Sequence, residues 1–159
     1  MDFYKPVGIL LLAVSGAMGA YFLNRSAADT LRQVEGWLTL VRTVQTQVEC
    51  FALPATEILR GLDPDLLRSC GYEGEGVPES FEELARQCTL RDGETCRLVT
   101  GFCKEFGTGY RGEQVRSCAY YAAGLGDRRQ ALASALPNRK KLNTTLCVSG
   151  ALAVVILLI

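Results

Sequence analysis

The stretch VGILLLAVSGAMGAYFL, Val7–Leu23, carries no charge. As a helix rising about 1.5 Å per residue it reaches roughly 25 Å, the short end of what crosses a bilayer. A matching run stands at the other end of the chain: LCVSGALAVVILLI, Leu146–Ile159. Alone it spans about 21 Å, and with Leu142–Thr145 about 27 Å. Asn143, Thr144 and Thr145 then fall at the interface, and no polar face exists from Ala151 onward. These two ends predict an all-α, membrane-anchored helical bundle with one transmembrane helix at each end, over 1–25 and 142–159, and a helical domain over 26–141 between them.

The first run has a rival reading as a cleaved signal peptide, with Ala17 and Gly19 at the small-residue positions. Its n-region argues against that, since Lys5 is the only basic residue there and Asp2 opposes it. Gly16 and Ala20 stand at a small-xxx-small spacing, which reads equally as a helix-packing motif or as a sterically smooth span. Arg25 and Arg32 follow the first run, and Arg128, Arg129, Arg139, Lys140 and Lys141 precede the second. That asymmetry places the central domain in the cytoplasm and both termini on the far side of the membrane.

The 17 basic and 17 acidic residues cancel, leaving no basic face for a nucleic-acid backbone. The chain has no histidine, which removes the usual base near neutral pH and the commonest imidazole ligand. No Walker lysine, nucleophile elbow or metal signature is found. The expectation is a protein that is not an enzyme and uses no cofactor or metal.

Between the ends, Leu31, Val34, Leu38, Val41, Val44 and Val48 recur at steps of three and four, the mark of an amphipathic helix over about 26–51, with Trp37 as a core or groove anchor. Pro54 suits the first turn of a second helix that Gly61 and Asp63 end. Asp63 and Pro64 cap a short third piece through Cys70. The glycines of GYEGEGVP, Gly71–Pro78, mark a loop. Ser80 and Glu83 form a capping box for a helix to about Cys88. Asp92 caps the next, whose Leu98, Val99, Phe102, Cys103 and Phe106 share a face and which stops at Gly107. A long last helix begins near Glu113, with Val115, Cys118, Ala122, Leu125, Leu132 and Leu136 along one seam.

Seven cysteines form no CxxC pair and are odd in number, so neither a metal cluster nor a disulfide framework fits them. Cys103 and Cys118 sit on apolar faces as small hydrophobes. The alternative is an exported, cysteine-bridged binding or redox domain released by signal cleavage, in which Cys88, Cys96, Cys103 and Cys118 pair.

The chain resembles the stage III sporulation protein AB family of endospore-forming bacteria. The resemblance rests on the N-terminal span, LPATEIL (Leu53–Leu59), SFEELARQ (Ser80–Gln87), FGTGYRGEQVRSC (Phe106–Cys118) and the VVILLI ending, in that order. It implies a non-enzymatic scaffold of a secretion-like channel between mother cell and forespore, in the mother-cell-derived membrane around the forespore. Its helical domain is similar to the F-type platform proteins of type II secretion, and it works beside a secretion-type ATPase and other membrane subunits, with a homo-oligomer also compatible. The charged residues flanking the glycine turn, Lys104, Glu105, Arg111 and Glu113, are the candidate partner contacts, with simple solvation as their alternative reading. Pro137 and Asn138 interrupt what in the family tends to be one helix, so a kink or break is expected there.

Overall fold

A computed structural model describes the backbone of residues 4–158 and the side chains of residues 14–154 and 156. Among these described residues six helices follow one another: α1 Tyr4–Phe51, α2 Ala55–Arg60, α3 Pro64–Ser69, α4 Phe81–Gln87, α5 Gly93–Glu105 and α6 Arg111–Leu158. Among the described residues there is no strand, and one isolated antiparallel pair, Tyr72 with Cys88, ties the glycine loop to the end of α4. The protein is all-α, as its periodicities predict.

The chain divides into two compact units, one of Met1–Asp29 with Ala133–Ile159 and one of Thr30–Leu132. Both divisions fall inside long helices. No glycine or proline stands between Ala20 and Gly36, so nothing separates the apolar run from the amphipathic one, and the two predicted segments are a single helix. At the other end α6 passes through Pro137 without a break. A proline costs the helix one hydrogen bond, and the intact turns on either side continue the element.

In the unit Thr30–Leu132, α1 contributes Val34, Trp37, Leu38, Leu40, Val41, Val44 and Val48 to the core. Leu40 and Trp37 are fully buried, which widens the predicted stripe. The Trp37 indole donates to the Cys70 carbonyl at 3.0 Å, so the large apolar body is buried with its polar edge satisfied. Gly36 makes this approach possible: a Cβ there would lie 2.5 Å from Ser69 Oγ and 2.9 Å from the Ser69 carbonyl carbon. Phe81, Phe102, Phe106 and Tyr121 form the second half of the core, with ring centroids 4.8 Å apart for Phe81–Phe106 and 5.9 Å for Phe102–Tyr121. Their edge-on arrangement is the favourable one for aromatic rings.

The caps read from the sequence are present. Asp63 accepts from the Asp65 amide at 2.9 Å, Ser80 from the Glu83 amide at 3.1 Å and Asp92 from the Thr95 amide at 3.0 Å. Glu83 returns its bond to the Glu79 amide at 2.7 Å, one residue before the position a capping box uses. Asp92 also receives a bidentate guanidinium from Arg128, at 2.6 and 2.9 Å, which joins α5 to α6. Arg129 pairs with Glu35 at 2.8 Å, and Arg111 donates to the Glu49 carbonyl. The start of α6 therefore meets the end of α1, so the two helices are antiparallel within this unit.

In the other unit, α1 and α6 approach closely at Gly16, whose missing Cβ would stand 3.2 Å from the Cys147 carbonyl oxygen and 3.3 Å from Ala151 Cβ. Ala20 is buried. Asn143 donates to Asn24 at 3.2 Å across the pair. The small-residue spacing thus serves helix packing. Among the described residues, no helix is long and apolar enough to cross a membrane. The side chains of Val7–Ala13, which open the predicted first span, and of Val155 and Leu157–Ile159, which close the second, lie outside the described residues, as do those of Asp2 and Lys5.

Candidate functional site

The unit Thr30–Leu132 carries two clefts. The first, about 300 Å³, opens between α4 and α5 and is lined by Glu82, Ala85, Arg86, Thr100, Cys103 and Lys104. Glu82 and Arg86 are one helical turn apart on α4, and Thr100 and Lys104 are one turn apart on α5, so each helix turns a polar pair toward the opening. Cys103 is buried. Burial, with nearby Cys88 and Glu82 adding to it, pushes its thiol well above the ordinary cysteine value. A thiol held protonated is a poor nucleophile.

The second cleft, about 330 Å³, lies where α1 ends and α6 begins, with Val48, Leu53, Pro54 and Ala55 as apolar walls and Arg111 and Gln114 as polar ones. The Arg111 guanidinium caps the last carbonyls of α1 through Glu49, where the helix dipole favours a cation. Gln114 is fixed by its bond to the Gly109 carbonyl at 2.8 Å. Next along the chain from these walls stand Phe51 and Tyr110, large and exposed. The chain leaves α1 through Ala52 at φ 50°, a left-handed conformation in a residue that carries a Cβ.

The four charged residues flanking the glycine turn are all exposed but do not share one surface. Lys104 lines the first cleft and Arg111 the second. Glu105 accepts from Ser117 at 3.3 Å. Burial and then its bond to Glu105 push the Tyr121 phenol up to about 12. Glu113 caps the start of α6 by accepting from the Tyr110 amide at 3.2 Å. Arg111, Glu105 and Glu113 are thus engaged within the fold, and Lys104 is left to the first cleft. Glu82, Arg86, Thr100 and Gln114 are not among the candidate contacts that the sequence offers; the spacing of four on α4 and on α5 is the available signal for the first three. Among the described residues, no group of three His, Cys, Asp or Glu side chains is placed to hold a metal ion. All seven thiols are unpaired.

The family model of stage III sporulation protein AB matches residues 5–159. The chain belongs to that family. No curated protein and no solved structure matches it. As a stage III sporulation protein AB family member it is a stage III sporulation protein, and the matched region takes in all six helices apart from Tyr4.

Proposed function

We propose that the protein is a non-enzymatic scaffold of a secretion-like complex assembled during stage III of sporulation, held in the membrane by both ends of the chain. The observation that carries this reading is the surface of the unit formed by the two ends. Val14, Met18, Phe22 and Leu23 on α1, and Leu142, Leu146, Val148, Leu152 and Ile156 on α6, are all more than half exposed or at that mark. A contiguous apolar exterior of this kind is unfavourable in water, at about 25 cal/mol per Å², and favourable in lipid. The unit Thr30–Leu132, by contrast, buries most of its large apolar side chains in a core and leaves Phe51, Val77, Tyr110 and Tyr120 as separate exposed ones.

In this reading the central unit lies in the cytoplasm, in the mother-cell-derived membrane's vicinity, and its two clefts receive a secretion-type ATPase and neighbouring membrane subunits. Lys104 is the contact residue the clefts favour. The test is co-purification in detergent from sporulating cells. The wild-type chain is expected to recover the ATPase and at least one membrane subunit, and Lys104→Glu to cut recovery on the order of tenfold, at the scale of hot-spot charges, without lowering the chain's own melting temperature. Recovery of no such partner by the folded wild-type protein sinks the proposal.

A further inference from the structure

Two contacts fix the register of α1 against α6 in the unit formed by the chain ends: Gly16 against Cys147 and Ala151, and Asn24 bonded to Asn143. Arg25 follows Asn24 directly, and Arg139, Lys140 and Lys141 precede Asn143 by about one helical turn. The Asn24–Asn143 bond thereby brings four cations from two helices to one level. Asp29 is the single acidic residue among this unit's described residues.

That level is also the edge of the apolar surface. On α1 the exposed Tyr21, Phe22 and Leu23 stop one residue short of Asn24, and on α6 the exposed Leu142 follows Lys141 immediately. The Arg25 guanidinium leans on the Tyr21 hydroxyl at 3.5 Å. The basic residues nearby in sequence have different fates. Arg128 is held by Asp92 and Glu94, and Arg129 by Glu35, whereas Arg139, Lys140 and Lys141 are exposed and carry none of these pairings.

We propose that Arg25, Arg139, Lys140 and Lys141 form a collar that binds the headgroups of anionic phospholipids. The inference rests on the membrane reading above and adds the lipid class. Guanidinium groups take a phosphate bidentately and ammonium groups as point charges. A cation at the edge of an anionic bilayer strengthens binding by about fivefold, so the four together select such lipid over a zwitterionic one.

The experiment uses the full chain in neutral detergent, titrated separately with phosphatidylglycerol and phosphatidylcholine, with retained lipid counted by native mass spectrometry. Phosphatidylglycerol is expected to be retained at least about tenfold better, with the preference shrinking as salt rises. The Arg139→Gln, Lys140→Gln, Lys141→Gln variant should lose most of that preference while holding phosphatidylcholine as before. Arg25→Gln alone, on the other helix, should lower it by about fivefold, which keeps the test open if the triple variant does not fold. Equal retention of the two lipids, or an undiminished preference in both variants, overturns the collar and leaves the membrane reading standing. A chain that retains neither lipid and remains dispersed after detergent removal overturns both.

Discussion

Asp92 has two tasks at once, capping α5 through Thr95 and receiving the Arg128 guanidinium. The hydrogen bond from Arg128 holds its carboxyl well below the usual carboxylate range, against the opposing effect of burial. Because the folded value is lower than the unfolded one, the unfolded chain binds this proton more readily. The stabilisation is complete above the ordinary value of 3.8 and is lost as pH falls from there through the folded value. The urea midpoint of the wild type should therefore drop on acidification from about pH 5 to pH 3 by more than that of Asp92→Asn. At neutral pH Asp92→Asn should cost about 2 kcal/mol, since Arg128 keeps Glu94 at 2.8 Å but loses its partly buried, bidentate partner. Equal acid sensitivity in the two proteins contradicts this account. Two backbone positions give opposite signs. Ala52 at φ 50° should gain about 0.5–1 kcal/mol on replacement by glycine, while Gly36→Ala drives a Cβ into the backbone at Ser69 and Cys70 and should cost about 1–3 kcal/mol. Chemical denaturation of the three proteins side by side reads both. The cap at Asp92 was legible in the sequence because capping is a rule over three residues. Its bond to Arg128, 36 residues away, was not, since only the fold brings that pair together.

At the scale of elements, the short helices were read closely because each is bounded by its own chemistry: Pro54 and Gly61, Asp63 and Pro64, Ser80, Asp92. Of the long helices, α1 is divided in the sequence by solvent preference, apolar run against amphipathic run, which is no signal to the backbone, and α6 by Pro137, which the helix passes through. The Tyr72–Cys88 pair escaped notice for another reason, because one bridged pair produces no alternation to find. For the site, adjacency misled: Lys104 and Glu105 are neighbours in sequence but about 100° apart around a helix, so one lines a cleft and the other bonds Ser117 on α6. The pairing of α1 with α6 near Gly16 can be tested by a disulfide. A Cβ at Gly19 would lie 3.8 Å from Cys147 Sγ, close enough for a side-chain rotation at Cys147 to bring the two sulfurs together. Gly19→Cys, oxidised by copper phenanthroline in the full-length protein, should link the two helices, each thiol giving up a proton and an electron to the oxidant. After proteolysis within Thr30–Leu132 the end fragments should run as one species until reduced. Separation of the fragments without reductant shows that the helices are not paired there.

For the whole molecule, the orientation of the central unit decides between a cytoplasmic scaffold and an exported domain, and the thiols differ in what they report. Cys70, Cys103 and Cys118 are buried. Burial pushes Cys118 up to about 11 and, together with Glu73, Cys88 up to about 12, so little thiolate exists at neutral pH to react. Their silence toward a reagent would say the same thing on either side of a membrane. Cys50 and Cys96 are exposed on the same unit, and they are the informative pair. With a membrane-impermeant maleimide, intact cells should leave both unlabelled, and a lysate should label both promptly. Replacing the two by serine should abolish the prompt fraction. Labelling of Cys50 and Cys96 at full rate in intact cells would put the clefts, Lys104 and Arg111 where no cytoplasmic ATPase can reach them. The scaffold proposal would then fail at its partner while the family membership and the fold remained as they are.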